Sequence, residues 1–360
     1  MKKKIKGILS GLLVIALLLV GCGNQEEIQT PEEYINENLK EISLSDSWTE
    51  GTMGNTEEYQ VFLAGENHGV EEDYETQKRL IEYLYTHEGV RYLIFERSVS
   101  EGIILEKYIQ TGEEELLTDY MNSIAGTAGY TQGEYQFFKW LYQYNMSLPE
   151  GERLHMFGLD LEFQQDMTIK ALQMLDTNGE VEAYYGEKWK WVERILKNEE
   201  KYFQHISEGA SAESQLRDNN MAENFWFVYD QFPEGKFFGQ FGAFHTYLEY
   251  TTSVYQVEQG HRPFAALLDQ EGSFLTGKVC SILLYNISDA SQYNEINRHI
   301  EALKNVKLRG KNMLLSLNEK GSPFVNEEIW QEEEEERPVC DYIQKIVFLQ
   351  AMTKSPSYGE

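Results

Sequence analysis

From Tyr59 onward the chain alternates between apolar runs of strand length and longer segments whose apolar residues fall on one face of a helix. That alternation is the signature of an α/β fold. "YQVFLA" from Tyr59, "RYLIFE" ending at Glu96, "RLHMFGLD" ending at Asp160 and "KFFGQFGAFH" ending at His245 are expected as the first four strands. Further strands are expected at Phe264 to Leu268, Val279 to Tyr285, Met313 to Leu317 and Ile346 to Leu349. Between the first two, "EDYETQKRLIEYLYTHEG" puts Leu80, Ile81 and Leu84 on one helical face, with Gly89 just past its end. Helical segments follow near Ile103 to Ile109, Glu113 to Ile124 and Glu134 to Met146, and a long helical region runs from about Gln165 to Phe232. The reading is a central, mostly parallel sheet flanked by helices, with a large helical insertion.

In open α/β sheets the ligand crevice lies outside the carboxyl ends of the strands. Here four successive strands carry ionisable groups to that edge: Glu66 and His68, Glu96 and Arg97, Asp160 and Glu162, and His245. Gly65, Gly158 and Gly242 are read as tight turns that let those side chains enter a crevice. One such terminus means little, but four together favour a site. Each residue also has a structural reading. His68 can be a loop histidine, Glu66 and Asp160 helix caps, Arg97 a surface charge and His245 a satisfied core histidine. His87, His155, His205, His261 and His299 lack comparable settings and are read as structural or surface residues. Arg217 shares a helical face with Met221, Phe225, Val228 and Phe232, where its guanidinium needs a carboxylate or a ligand. Pairing with Glu96 or Asp160 is at least as good a reading as substrate binding, and Arg217 and Asp218 are assigned to the site as supporting residues.

The first residues speak to location. Lys2, Lys3, Lys4 and Lys6 precede an uncharged apolar stretch from Ile8 to Val20, the layout of a signal peptide. Leu19-Val20-Gly21-Cys22 resembles the lipobox of bacterial lipoproteins, which implies removal of residues 1–21, lipid on Cys22 and a protein held on the extracytoplasmic face of the cell membrane. Residues 22–55 are read as a tether with one short helix from Pro31 to Ile42, and residues 56–355 as the folded domain. The formal net charge of −29 argues against nucleic acid and against a basic membrane-binding face, so attachment falls to the lipid. The acidic run Glu332 to Glu336 is read as a solvated loop. Cys280 and Cys340 either pair or are simply buried, and the oligomeric state is left open.

The residues also carry a family resemblance. Gly65-Glu66-Asn67-His68-Gly69, "GVRYLIFERSVSEG" with "YIQTGEEELL", "HMFGLDLE" and "RDNNMAENFWFVYDQFPEGKFFGQFGAFH" resemble, in this order, the motif series of the erythromycin esterase family, with a weaker echo at "CDYIQKIVFLQAMTKS". The resemblance implies an α/β core with helical insertions and hydrolysis of an ester or lactone in a small-molecule substrate, without a metal. It casts His68 as the general base, Glu66 and Glu96 as its carboxylate partners and His245 as a second histidine. Neither a Gly-x-Ser-x-Gly elbow nor a cysteine in a reactive setting appears, which favours activated water over a covalent nucleophile. Gly-x-x-His occurs twice, at Gly65 to His68 and Gly242 to His245, and is similar to the Tiki and TraB proteins and to the haem-binding ChaN lipoproteins. On that alternative Glu66, His68 and His245 hold a transition metal or the site holds haem. A third reading is a non-catalytic receptor whose aromatic residues line a pocket for a bulky apolar ligand.

Overall fold

The computed structural model describes residues 29–178, 188–207, 215–249, 260–287, 299–304, 306, 308–331 and 336–360. The signal peptide, Cys22 and most of the acidic run lie outside the described residues. Eight strands form one sheet: β1 Leu39–Glu41, β2 Val61–Glu66, β3 Tyr92–Ser98, β4 His155–Asp160, β5 Phe237–Gly242, β6 Val279–Asn286, β7 Met313–Ser316 and β8 Lys345–Leu349, in the order β1-β7-β8-β6-β2-β5-β3-β4. The pairs from β8 across to β4 are parallel, whereas β1 with β7 and β7 with β8 are antiparallel. The middle strands are buried nearly end to end, as strands covered by helices on both faces must be. They accordingly read as near-continuous apolar runs.

The chain leaves β2 for β3 and β4 on one side, returns as β5 between β2 and β3, and then continues to β6 on the other side of β2. This reversal brings the carboxyl ends of β2, β5, β3 and β4 next to one another. The helical insertion runs between β4 and β5 as Gln165–Asn178, Lys188–Ser207 and Gln215–Tyr229. Helix Val99–Thr111 is fixed at its start by a capping box in which the Ser98 hydroxyl accepts from the Glu101 N–H and the Glu101 side chain accepts from the Ser98 N–H.

Three expectations need correction. Residues 31–55 are not a tether: Tyr34, Ile42, Trp48 and Met53 are buried, and β1 extends the sheet against β7. The short polar stretches around these apolar anchors hide a packed segment from a composition argument. Phe264 to Leu268 is helical, within Phe264–Asp269 after Pro263, because five apolar residues fit a buried helical turn as well as a strand. Neither Gly65 nor Gly158 makes a turn. Gly65 is paired inside β2 with Phe241 and Leu283. Gly158 sits inside β4, where a Cβ would lie 2.0 Å from the Ser98 carbonyl oxygen, so glycine permits close backbone approach there.

Past β8 the chain crosses the carboxyl edge of the sheet. Ser355 N–H donates to the Gly69 carbonyl (2.8 Å), Gln132 N–H to the Pro356 carbonyl (2.8 Å) and Gly133 N–H to Ser355 Oγ (2.8 Å). The segment thereby ties the loop after β2 to the start of helix Gln132–Ser147.

Candidate functional site

β2 delivers Glu66 and, two residues on, His68. Glu66 Oε1 lies 2.8 Å from His68 Nδ1, and its other oxygen accepts from the Gln240 side-chain amide of β5. The backbone that carries His68 is itself pinned. Asn67 N–H donates to buried Asp73 (2.8 Å), and the Asn67 side chain donates to Asn286 Oδ1 (2.7 Å) at the end of β6. His68 Nε2 stands 4.0 Å from Glu96 Oε2, too far for a hydrogen bond, and 40% of the side chain is exposed. The Nδ1 edge is therefore engaged, Nε2 lies near Gly242 and Glu96 with no hydrogen bond among the described residues, and the exposed part of the ring lines the cleft.

Glu96, at the end of β3, is the hub. Its Oε2 accepts from the Gly242 N–H of β5 at 2.6 Å, and its Oε1 lies 2.5 Å from Arg217 Nη2 and 3.6 Å from His245 Nε2. Arg217 also reaches Asp160 of β4, through Nε at 3.1 Å to both oxygens and through Nη2 at 2.5 Å. Both pairings weighed from the sequence are thus made by one guanidinium. His245 continues the chain of contacts inward: Nδ1 is 2.7 Å from Asp218 Oδ1, and Asp218 Oδ2 is 2.7 Å from His261 Nε2. The turn Ala243–Thr246 that carries His245 folds back on β2 because Gly65 has no side chain. A Cβ there would lie 2.5 Å from Thr246 Oγ1 and 2.9 Å from Ala243 Cα.

The titratable groups follow from these contacts. Burial alone would lower the His68 pKa, but the hydrogen-bonded Glu66 and the Glu96 and Glu66 charges overcome it and raise the imidazole to about 8. Burial likewise opposes charge on His245, yet Asp218 and Glu96 raise it to about 9. Burial would push Glu96 up, and Arg217, His245 and His68 instead hold it well below the usual carboxylate range. Glu66 is also lowered, chiefly by His68 against the cost of burial. Asp218 is brought down to about 2, with both histidines outweighing its burial.

A cleft of about 220 Å³ opens over this floor, lined by Glu66, His68, Glu96, Arg97, Asp160 and Arg217 below and by Ile124, the Thr127–Gly129 loop and Phe163 at its rim. Of the residues expected at the site, these six enter the cleft together. Three do not. His245 is 2% exposed and sits behind Arg217, Asp218 is fully buried, and Glu162 turns to the Ser100 N–H (2.9 Å) and the Thr168 hydroxyl (2.9 Å). Arg97 lines the cleft, but its guanidinium is engaged by Glu134 (2.6 Å) and Tyr120 (2.6 Å). Glu134, Tyr120, Asp73 and Asn286 escaped the sequence reading, since they lie within helices or strands without a motif, and Gln240 escaped it inside the motif that ends at His245. His261, set aside as structural, is structural in a site role: it is a buried partner of Asp218.

The alternative metal set is not brought together. Arg217 Nη1 lies 3.3 Å from His245 Nε2, where a metal would have to bind, and Glu66 is committed to His68. Among the described residues no group of three or more His, Cys, Asp or Glu side chains is placed to hold a metal ion.

No family model and no curated protein matches this chain. Solved structures do match it in fold. A protein of Bacillus cereus superposes with a TM-score of 0.60 at 14% identity, covering 91% of this chain and 98% of that one. A succinoglycan biosynthesis protein gives 0.61 at 15% identity, covering 91% and 97%. The erythromycin esterase EreC, with a His-to-Asn substitution and in its open conformation, gives 0.56 at 12% identity, covering 83% and 92%. At such identities the likeness is one of fold, and the α/β sheet with its flanking helices is an architecture this chain shares with an erythromycin esterase.

Proposed function

We propose that the domain hydrolyses ester or lactone bonds with water activated by His68. The observation that carries this reading is the 2.8 Å contact between Glu66 and His68 Nδ1, which leaves Nε2 without a hydrogen bond among the described residues on a ring that lines the cleft. Such a carboxylate fixes the imidazole tautomer and stabilises the imidazolium formed during reaction. Neutral His68 takes a proton from water as the water oxygen bonds to the carbonyl carbon. The tetrahedral intermediate carries its negative charge beside Arg217, whose cation is held by Glu96 and Asp160. Collapse breaks the bond to the leaving alkoxide, which receives the proton from His68. His245 and Asp218 act from behind as positioning residues that orient Arg217 and Glu96.

The fold shared with an esterase and the order of the four sequence motifs support the same reading. The test is turnover of a panel of esters and lactones. His68→Ala should lower kcat by roughly 100-fold to 10,000-fold with an unchanged melting temperature. Equal turnover in the variant would move the base role to Glu66 or Glu96. A wild-type domain that binds such compounds without ever hydrolysing them would favour a receptor. We also propose that the protein is lipidated on Cys22 and held outside the cell membrane, on the strength of the basic, apolar and Leu-Val-Gly-Cys order of its first residues.

A further inference from the structure

The floor of the cleft is charged, and its rim is not. Phe163 follows the β4 exit that supplies Asp160, lines the cleft and leaves 39% of its surface exposed. Its ring meets Tyr202 (centroids 6.1 Å apart, 75° between planes) and Phe203 (6.2 Å, 86°), both on helix Lys188–Ser207, and those two meet each other at 5.5 Å and 71°. Phe203 is 48% exposed, while Tyr202 is buried and anchors the group. Single exposed apolar side chains are ordinary on protein surfaces. Three mutually packed rings that run outward from a cleft rim are different, since Phe163 and Phe203 offer exposed apolar surface and the one hydroxyl of the group belongs to buried Tyr202.

We infer that Phe163, Tyr202 and Phe203 form an apolar subsite for the hydrocarbon part of an ester whose carbonyl lies over His68. The inference rests on the hydrolase reading and adds a substrate class to it: uncharged esters with a long or ring-bearing apolar portion. A carboxylate-bearing portion would lose hydration against these rings with no partner to replace it, whereas hydrocarbon would remove the ring faces from water. Ile124 adds an apolar side chain to the lining of the same cleft.

The experiment compares 4-nitrophenyl acetate with 4-nitrophenyl decanoate on the wild-type domain and on Phe203→Ser and Phe163→Ser. Wild type should prefer decanoate. The decanoate-to-acetate ratio of kcat/KM should fall roughly 10-fold to 100-fold in the variants, mainly through KM. Phe203 is half exposed, so its variant keeps the fold. A ratio identical in wild type and both variants would overturn the subsite. Calorimetric binding of decanamide separates this inference from the reading beneath it. If wild type hydrolyses neither ester but binds decanamide in a way that Phe203→Ser weakens, the subsite stands and the hydrolase reading falls. If decanamide binding is the same in both proteins, the subsite falls.

Discussion

Arg217 and Glu96 meet at 2.5 Å with side chains only 15% and 7% exposed, and Asp160 completes the arrangement at the same distance from the same nitrogen. One cation thus offsets two carboxylates that come from the ends of two different strands. Arg217→Met would keep an unbranched apolar stem and leave both carboxylates without the cation. Removing one partner of a buried ion pair typically costs about 3–5 kcal/mol. Denaturant unfolding should register a loss of that order together with a large drop in turnover. A variant as stable as wild type would mean that His245 and the Gly242 N–H suffice to hold Glu96.

The pH dependence of turnover should follow His68. A base must be neutral to accept a proton, and the neighbouring carboxylates raise this imidazole to about 8. Activity should therefore rise as pH increases through about 8 and fall below it. In Glu66→Gln the hydrogen-bonded charge is gone, so the midpoint should move to lower pH while the maximal rate declines. A midpoint that stays where it was would remove Glu66 from the base.

Stability should respond to pH through the buried His245 and Asp218. His245 rises from its ordinary 6.5 to about 9 on folding, so its contribution is fully present below about 6.5 and is lost as pH climbs through about 9. Asp218 is lowered to about 2, so its contribution is present above its ordinary 3.8 and is lost only as pH falls through about 2. Urea unfolding from pH 6 to 10 should therefore weaken steadily in wild type. In Asp218→Asn the slope should be shallower, with the remainder belonging to His68. Equal slopes would separate His245 from Asp218.

Attachment is tested at Cys22. If lipid on this residue holds the protein, Cys22→Ser should shift it from the membrane fraction to the soluble fraction or leave an uncleaved precursor. Normal processing with membrane retention would exclude the lipobox.

Much of the fold was legible because burial on both faces of a parallel strand demands a continuous apolar run, and "VFLA", "YLIF" and "HMFGL" cannot satisfy that demand anywhere else. The carboxyl-edge site was legible for a related reason, since each run stops where its ionisable residues begin. The periodic helix face around Arg217 likewise announced a buried charge in need of a carboxylate. Only the tertiary structure decided which carboxylate it found, and the answer was two, because β3 and β4 end side by side. The Gly-x-x-His spacing by itself does not rank His68 above His245, as both follow a glycine by three residues, and only the family resemblance casts His68 as the base. Chain reversal at β5 and the bare backbone of Gly65 put one imidazole at the cleft and the other behind Arg217. Residues 31–55 and Phe264–Asp269 were misread because short apolar stretches obey no periodicity of their own. Their partners on β7 and on helix Gln215–Tyr229 lie far along the chain, and contacts across such separations exist only once the chain has folded.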